Sequence, residues 1–322
     1  MLYDVIIIGG GPAGTAAAVY CGRKKLKTAL ITESFGGQSI VSAGIQNWIG
    51  EQNISGYDLA KKFEEHVRMF SDVVDILTSE RGSAVRKVAG GEGPPDFEVT
   101  TDTGKTYQGK ALILTMGARR RKLGVPGERE FDGKGVAYCS TCDAPLFGGK
   151  DVAVVGGGNA GLEAVVDLFP YAGKIYLLEY SDQVKGDPVT LDEIRRNAKV
   201  TMILNAETKE VIGDKMVTGL KYVDRVSGAE RLLNVGGVFV EIGSVPNSDI
   251  VKDLVELDRY GQIMIDSKHA TTSHPGIFAA GDITDDPYKQ NNISAGDAVK
   301  AALAAYSYLL KRDQHGSAAR VP

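Results

Sequence analysis

Two cysteines separated by two residues are the most reactive feature of this sequence. They are Cys139 and Cys142, within the stretch 138–147, and Asp143 follows directly. A C-x-x-C pair can belong to a zinc site, to a redox disulfide or to two unrelated buried thiols. Zinc needs four ligands, typically from a second C-x-x-C or a His pair. The remaining candidates are Cys21 and four dispersed histidines, and because they form no ligand pair, no metal site is predicted.

The spacing of the two thiols favours redox chemistry. It lets them close a disulfide, and a helix that begins at the pair lowers the pKa of a thiolate. Asp143 is placed to return a proton to a departing thiolate. The alternative is an acid that merely stabilises the start of a helix. Cys21 lies in an alanine-rich predicted helix and is interpreted as a small core residue. Cys139, Cys142 and Asp143 are therefore the candidate catalytic residues.

A glycine-rich motif typical of nucleotide-binding sites occurs twice, once before and once after the cysteine pair. The apolar run 3–8 precedes GGGPAG at 9–14, and the run 151–155 precedes GGGNAG at 156–161. Both are G-x-G-x-x-G motifs between a predicted strand and a predicted helix. Second strands predicted over 27–32 and 174–178 end at Glu33 and Glu179, 19 and 18 residues after the last glycine. A single motif is weak evidence, but strand, helix, spacing and acid are all present in both copies.

The three glycines of each copy have separate physical tasks. The first makes the tight turn, the second lets the backbone approach a pyrophosphate, and the third lets helix and strand pack closely. The helix N-terminus adds free N–H groups and the positive end of its dipole. The alternative, glycines that simply make turns, does not account for the repeated context. Each copy predicts one bound dinucleotide, and the contacting residues are Gly9, Gly11, Pro12, Ala13 and Gly14 in the first copy and Gly156, Gly158, Asn159 and Ala160 in the second.

Turn-rich stretches at 123–128 and 243–247 flank the second copy and indicate an inserted domain. Near the C-terminus, 276–282 is predicted to be a strand that ends in Gly281-Asp282, and 294–310 is predicted to be helical. We predict an α/β fold with two Rossmann-like dinucleotide-binding domains, the second inserted into the first. The discontinuous domain covers 1–118 and 248–322. The inserted domain covers 119–247 and carries the C-x-x-C.

Composition excludes several other classes of protein. The chain has 322 residues, 43% of them hydrophobic and 24% charged, which fits about two globular domains. A net charge of −4 leaves no electrostatic footprint for nucleic acid or an anionic membrane. The uncharged run 5–22 is interrupted at 9–12 and preceded by Asp4, so neither a signal peptide nor a membrane span is predicted. Three cysteines exclude a secreted disulfide scaffold, and a cytoplasmic protein is expected.

The order of these parts resembles the low-molecular-weight thioredoxin reductase family over essentially the whole chain. The matching stretches are 5–14, 36–38, 46–48, 139–143, 154–159, 242–243, 278–282 and 288–290. The sequence is also similar to the flavoprotein subunit of bacterial alkyl hydroperoxide reductase, particularly over 33–38. That subunit carries an additional N-terminal disulfide domain, whereas this sequence starts directly at the first strand. A freestanding reductase is therefore expected.

The resemblance implies that the first copy binds FAD and the second a nicotinamide nucleotide, NADH or NADPH. It implies a homodimer that reduces thioredoxin or a thioredoxin-like protein, and an inserted domain that rotates to present nicotinamide or disulfide to the flavin. Cys142 would face the flavin, and Cys139 would attack the partner disulfide with Asp143 as acid. Asp282 would hold the ribityl or pyrophosphate region of FAD. The further FAD residues are Glu33, Gly36, Gly37, Gln38, Asn47, Gly117, Gly281 and Gln290, and the further nicotinamide residues are Glu179 and Gly243.

Two departures from the family pattern affect the cofactors. Thr115-Met116-Gly117 stands where the family has Ala-Thr-Gly, so one hydroxyl contact to FAD is expected to shift or disappear. NADPH-specific members have His-Arg-Arg-x-x-x-Arg after the second strand of the second copy, whereas this sequence has Glu179 and then Tyr180. A carboxylate there accepts hydrogen bonds from a ribose 2′-OH, and Lys185 is the only nearby cation, so NADH is expected over NADPH. The alternative is a Glu179 that points to solvent, with neither nucleotide used well.

Three other functions stay open on the sequence. A flavoprotein of the same fold could receive its electrons from ferredoxin or another donor in place of a nicotinamide, which requires a vestigial second glycine motif. A flavin-bearing redox sensor could use its disulfide to regulate partner binding without turnover. A protein with this fold could also transfer electrons between a nicotinamide nucleotide and ferredoxin or flavodoxin, and that reaction does not require the cysteine pair. The intact motif at 156–161 disfavours the first, and the presence of Cys139 and Cys142 disfavours the third.

Overall fold

Residues 2–42, 44–88 and 96–318, with side chains up to residue 312, are described by a computed structural model. They divide into two compact units: unit 1 spans Met1–Arg119 and Val245–Pro322, and unit 2 spans Arg120–Ser244. The predicted domain boundaries, after 118 and after 247, lie one and three residues from these crossings.

The strands of the described residues alternate with helices in the first part of each unit. The strands are, in chain order, β1 (Leu2–Ile8), β2 (Thr28–Thr32), β3 (Val74–Thr78), β4 (Gly82–Lys87), β5 (Phe97–Thr101), β6 (Thr106–Leu114), β7 (Ala118–Arg120), β8 (Val136–Ala137), β9 (Val152–Val155), β10 (Ile175–Leu178), β11 (Val200–Ile203), β12 (Ala206–Gly213), β13 (Val217–Asp224), β14 (Glu230–Leu233), β15 (Gly237–Val240), β16 (Ser244–Pro246) and β17 (Ile277–Ala279). The α-helices are α1 (Pro12–Arg23), α2 (Gly56–Arg68), α3 (Ser140–Asp143), α4 (Asn159–Leu168), α5 (Pro188–Arg196) and α6 (Asn291–Ala318). Short 3₁₀ turns cover Gly37–Val41, Ala144–Phe147 and Asp249–Val251.

Unit 1 is organised by a sheet that has seven strands within the described residues. The strand order is β3-β2-β1-β6-β5-β4, and β17 also pairs with β6. β1 pairs in parallel with β2 on one side and with β6 on the other, so the strand order reverses at β1. Val5–Ile8 are buried, as expected for a central strand that is covered on both faces. A crevice at the carboxyl end of such a strand is where ligands bind in open α/β sheets.

Helix α1 packs against α6 through small side chains. The residues at this contact have no exposed surface: Ala17, Ala18 and Cys21 of α1 and Ala301 of α6. Because their side chains are small, the two helices approach closely. Burial raises the pKa of Cys21 to about 12, so this thiol is an inert core residue, as predicted.

Unit 2 repeats the arrangement on a parallel sheet with the order β11-β10-β9-β15-β8. β9 pairs in parallel with β10 and with β15, so this sheet also reverses at the strand that precedes its glycine turn. A second, antiparallel sheet, β12-β13-β14, follows β11 in the chain. The start of α5 is fixed by Asp187, whose carboxylate accepts the Thr190 backbone N–H at 2.9 Å.

The predicted fold class and the predicted elements around both glycine motifs are confirmed. β1 begins one residue earlier than predicted, whereas β2, β9, β10 and β17 are shorter than predicted, and α6 is longer than the predicted helix over 294–310. Within the described ranges, no helix combines the length and the apolar character needed to cross a bilayer.

Candidate functional site

Cys139 and Cys142 form a disulfide in unit 2, with their Cα atoms 5.4 Å apart. Cys139 is the extended residue that precedes α3 and follows β8 closely (φ −147°, ψ 103°). The Asp143 backbone N–H donates to the Cys139 carbonyl at 3.0 Å and closes the single turn of α3. This local closure brings the two sulfurs together.

The turn that carries the disulfide is anchored on both sides within unit 2. Ser140 Oγ and Thr141 Oγ1 donate to the Asp167 carboxylate of α4, at 2.9 and 3.1 Å. After α3, the buried Phe147 packs edge-on against Phe239 of β15, with ring centroids 4.8 Å apart. The disulfide is therefore held by side-chain hydrogen bonds on one side and by the core on the other.

Asp143, the residue that follows Cys142, carries a perturbed carboxyl. Burial, and to a smaller extent the charge of Asp132, raises the pKa of Asp143 to about 6. Asp143 is also the acid in the single turn of α3, as the helix-start interpretation expects. A carboxyl with a pKa near 6 can hold and release a proton close to neutral pH.

A second buried carboxyl, Glu241, lies directly after β15 and is only 8% exposed. Burial raises the pKa of Glu241 to about 8; the Arg120 charge and the Ser140 backbone N–H oppose the shift, and the charges of Asp167 and Asp143 add to it. Glu241 was not among the residues predicted from the sequence. Over the described ranges, no three His, Cys, Asp or Glu side chains are grouped so that they could hold a metal ion.

Glu241 could have been located by comparing the two copies of the internal repeat. The backbone carbonyl of Glu241 lies against Gly156, just as the carbonyl of Thr115 lies against Gly9. The two positions are counterparts at the carboxyl end of β15 and β6. Aligning β15 with β6 would therefore have placed Glu241 beside the glycine turn of unit 2.

The glycines of the two turns occupy the backbone positions that the motif requires. Gly9 and Gly156 have φ values of 110° and 120°, in the region that favours glycine. A Cβ on the third glycine of either turn would collide with the carbonyl oxygen of the first. A Cβ on the second would meet nothing within 4 Å at Gly158 and only Gly37, at 3.7 Å, at Gly11. The second glycines therefore leave the open space that a pyrophosphate needs.

One hydroxyl contact to FAD was expected to shift or disappear at 115–117, and the Thr115 hydroxyl there hydrogen-bonds to the chain itself. Thr115 Oγ1 donates to the carbonyls of Ile8 at 2.8 Å and Gly9 at 3.0 Å, and so supports the first glycine turn. The following Gly117 has a φ of 61° and its carbonyl accepts the Asn247 backbone N–H at 3.0 Å. Asn247 was predicted only as the end of a turn-rich stretch.

The structure brings together most of the residues implied for FAD, all within unit 1. Gln38 Nε2 donates to Asp282 Oδ2 at 3.4 Å, and Asn47 Nδ2 donates to Gln290 Oε1 at 3.1 Å. The Gly36 backbone N–H donates to the carbonyl of the second residue of the glycine turn at 3.0 Å. Gly281, Gly37 and the turn residues Pro12, Ala13 and Gly14 lie beside them. Glu33 is exposed directly after β2.

Glu179 points at the second glycine turn and not to solvent, so the solvent-facing alternative is wrong. Its Oε2 accepts the Gly157 backbone N–H at 2.6 Å, and its Oε1 accepts the backbone N–H and the hydroxyl of Ser181 at 2.8 and 2.6 Å. Burial alone would raise the pKa of Glu179, but the hydrogen bonds from Ser181 and Gly157 outweigh burial and lower it. A fixed carboxylate thus stands at the end of β10.

Lys185 acts on the Glu179 carboxylate as expected, and a second cation, Arg225, contacts the neighbouring Tyr180. The Arg225 guanidinium stacks on the Tyr180 ring with 4.0 Å between its Cζ and the ring centroid, and it donates to the Tyr180 carbonyl at 3.0 Å. Arg225 comes from the hairpin between β13 and β14, far along the chain. Sequence reasoning that looked only along β10 and its loop could not place it.

The remaining nicotinamide residues lie around the second turn. Asn159 Oδ1 accepts the Asp187 backbone N–H at 2.8 Å, which ties the start of α4 to the start of α5. Ala160 is exposed in the first turn of α4. Gly243 has a φ of 94°, and its carbonyl accepts the Arg121 backbone N–H at 3.0 Å.

Comparison with known proteins agrees with this arrangement. A family model described as "Pyridine nucleotide-disulphide oxidoreductase" matches residues 3–305. The crystal structure of thioredoxin reductase from Streptococcus pyogenes MGAS5005 is 35% identical, has a TM-score of 0.87, and covers 96% of this chain and 99% of its own. The crystal structure of thioredoxin reductase from T. acidophilum is 37% identical, with a TM-score of 0.64 and the same two coverages.

Curated relatives with higher identity are longer than this chain. "NADH dehydrogenase" of Bacillus subtilis (strain 168) is 44% identical over 309 residues, which are 96% of this chain and 59% of the relative. One component of alkyl hydroperoxide reductase, that of Pseudomonas putida, is 44% identical over 310 residues, 96% of this chain and 58% of the relative. The chain therefore spans a little under three fifths of the curated relatives that it matches.

Proposed function

The chain belongs to the pyridine nucleotide-disulphide oxidoreductase family, and from that premise we propose that it is an FAD-dependent reductase of a thioredoxin-type disulfide, with NADH as donor. One observation carries the proposal. The Cys139–Cys142 disulfide is followed directly in the chain by Asp143, whose carboxyl has a pKa raised toward neutrality. A dithiol next to a proton-holding acid is equipped for thiol–disulfide exchange.

The residues of unit 1 fit FAD. The backbone at Gly11 is open, the N-terminus of α1 points free N–H groups at that space, and Gln38 and Asp282 lie beside it. When bound, FAD supplies the chemistry of accepting a hydride and passing two electrons to a disulfide. The chain's own part is to hold the pyrophosphate at the turn and to position the ribityl side near Asp282.

The disulfide residues have distinct proposed tasks. Cys139 attacks the partner disulfide, and Cys142 closes the internal disulfide again and releases the partner as a dithiol. Asp143 returns a proton to the leaving thiolate, because its carboxyl is partly protonated near pH 6. Cys139 and Cys142 are both half-buried, so each sulfur keeps some surface within unit 2.

Glu179 supports NADH as the donor. Its carboxylate is kept charged and fixed at the end of β10, where an adenosine ribose 2′-OH can donate to it. A 2′-phosphate would meet a like charge there. The name of the Bacillus subtilis relative, "NADH dehydrogenase", is consistent with this donor.

A thioredoxin-type acceptor is supported by two thioredoxin reductase structures that are at least 35% identical and covered over 99% of their length. A homodimer, which the family resemblance of the sequence implies, is part of the proposal. The test is anaerobic reduction of the FAD-loaded protein by NADH, followed by steady-state reduction of thioredoxin in the presence of NADH. Cys139→Ser and Cys142→Ser are the matched controls.

We expect steady thioredoxin reduction with the unchanged protein and none with either serine variant. NADH-driven flavin bleaching without thioredoxin reduction would contradict the acceptor, and bleaching by reduced ferredoxin but not by NADH would contradict the donor. A disulfide that is reduced once without turnover would favour the redox sensor.

A further inference from the structure

We propose that Asp167 positions the Cys139–Cys142 disulfide: its carboxylate clamps the two residues between the cysteines, and this clamp raises the rate and the equilibrium constant of disulfide closure. Asp167 is a positioning residue in this scheme, because it acts on the sulfurs through the backbone of α3 and not directly. The inference deepens the proposed function and rests on it for its biological role.

A single oxygen of the Asp167 carboxylate accepts both hydroxyls of the C-x-x-C. Ser140 Oγ donates to Asp167 Oδ2 at 2.9 Å, and Thr141 Oγ1 donates to the same oxygen at 3.1 Å. Ser140 is buried, whereas Thr141 is exposed. Hydrogen bonds to a charged acceptor are roughly twice as strong as those between neutral groups. Both residues between the cysteines are therefore tied to α4, a separate helix.

The position of Asp167 within α4 points to a task outside that helix. Asp167 is the last residue but one of α4, where the negative end of the helix dipole disfavours a carboxylate. The two hydroxyls that it accepts come from α3 and not from its own helix. An acid at this place therefore does more to hold α3 than to stabilise α4.

The clamp acts on closure because the two sulfurs must meet before the S–S bond can form. The Asp143 backbone N–H, which donates to the Cys139 carbonyl at 3.0 Å, closes only a single turn, and a helix of four residues is too short to be stable by itself. Opening of the disulfide does not consume the hydroxyls or the carboxylate, so the clamp holds the same turn in the dithiol. The effective concentration of one thiol at the other rises steeply with such preorganisation.

The test is thiol–disulfide exchange with dithiothreitol, which needs neither NADH nor thioredoxin. In opening, a thiolate of the reagent attacks one cysteine sulfur, the protein S–S bond breaks and a mixed disulfide forms. The second thiol of the reagent then releases the protein dithiol and leaves the reagent as a cyclic disulfide. In total, two electrons and two protons pass from the two thiols of the reagent to Cys139 and Cys142, and closure is the reverse reaction.

The FAD-loaded protein is equilibrated at pH 7 with mixtures of reduced and oxidised dithiothreitol. Open and closed forms are counted after rapid alkylation and mass analysis, and the rates of opening and closing are measured in the same way. Flavin absorbance is recorded in parallel, so that electrons held by the flavin are counted separately.

The Ser140→Ala, Thr141→Val double variant removes both hydroxyls and leaves the cysteines and the Asp167 charge in place. We expect its equilibrium constant for closure to fall about tenfold, with the loss in the closing rate and an opening rate within about twofold. Ser140→Ala alone should cost more than Thr141→Val, because Ser140 is buried. Asp167→Ala should match the double variant, and combining all three changes should add less than about twofold, since they remove the same contact.

A conservative variant and a matched control separate the clamp from a general loss of stability. Thr141→Ser keeps the hydroxyl and should close like the unchanged protein. Thr190→Val removes another threonine-to-aspartate hydrogen bond of unit 2, the 3.0 Å bond to Asp187 at the start of α5, and should leave closure unchanged. If the double variant does not fold, Thr141→Val and Thr141→Ser decide, with about threefold slower closing expected for valine only.

Unchanged closure in the hydroxyl variants, or full additivity of the three changes, would overturn the inference. It would also be overturned if Asp167→Asn, which keeps an acceptor oxygen, weakened closure as much as Asp167→Ala while the hydroxyl variants closed normally, because Asp167 would then act through its charge alone. Absence of NADH-dependent thioredoxin reduction would instead count against the proposed function and leave this test intact.

Discussion

We predict that Glu179 sets a preference for NADH over NADPH, and the size of that preference can be worked out from the structure. The Glu179 carboxylate is fixed by three hydrogen bonds, one from Gly157 of the glycine turn and two from Ser181, so it cannot swing away from a 2′-phosphate. Two unit charges about 4 Å apart repel by about 4 kcal/mol at an effective dielectric constant of about 20. Because Glu179 is half-buried, solvent screening reduces the repulsion to about 2 kcal/mol. That energy corresponds to about a 30-fold preference for NADH in kcat/KM.

The assay is the rate of flavin reduction by each nucleotide over a range of concentrations. Glu179→Gln keeps the side-chain shape and removes the charge, so we expect the preference to fall to within a few-fold. Arg225 is stacked on Tyr180, next to Glu179 in the chain, and Arg225→Ala should reduce the use of NADPH further without changing the use of NADH. The Glu179→Arg, Tyr180→Arg double variant should favour NADPH. A preference for NADPH in the unchanged protein, or an unchanged ratio in Glu179→Gln, would refute the reasoning.

Three further predictions concern the disulfide, the second glycine turn and the buried acid. Cys139→Ser and Cys142→Ser should each abolish thioredoxin reduction and leave NADH-driven flavin reduction within about twofold, as measured by stopped-flow absorbance. Gly161→Ala should lower the melting temperature, because its Cβ collides with a backbone carbonyl, whereas Gly158→Ala should melt normally and weaken NADH binding at least tenfold by calorimetry. Glu241 is protonated in the folded state above the pH at which it ionises in the unfolded chain, so stability falls as pH rises from about 4.5 to about 8. Glu241→Gln should therefore raise the melting temperature at pH 9 relative to the unchanged protein and have little effect at pH 5.

Features that depend on neighbouring residues could be predicted from the sequence. The two glycine turns are local, since strand, turn and helix follow one another within a few residues, and the structure shows both. The disulfide is local for the same reason, because one turn of α3 brings the two sulfurs together.

Features that depend on distant parts of the chain could not be predicted in this way. Arg225 reaches Tyr180 from a hairpin, and Glu241 reaches α3 from the end of β15. Both residues lie far along the chain from the sequence motifs next to which they pack, so no local pattern reveals them. The pKa of Asp143 depends on burial and on Asp132, which no spacing rule contains. The sequence allowed Glu179 to face either the nucleotide site or solvent, and the hydrogen bond from Gly157, which forms only in the folded chain, decides between them.

The central claim is that electrons from NADH reach the Cys139–Cys142 disulfide, and anaerobic titration of the FAD-loaded protein tests it most directly. NADH is added in steps while flavin absorbance is recorded, and thiols are then alkylated and located by mass analysis. We predict that about two equivalents of NADH are consumed per chain, one for the flavin and one for the disulfide, and that both Cys139 and Cys142 become labelled. Full flavin reduction by about one equivalent, with the disulfide still closed, would contradict the account.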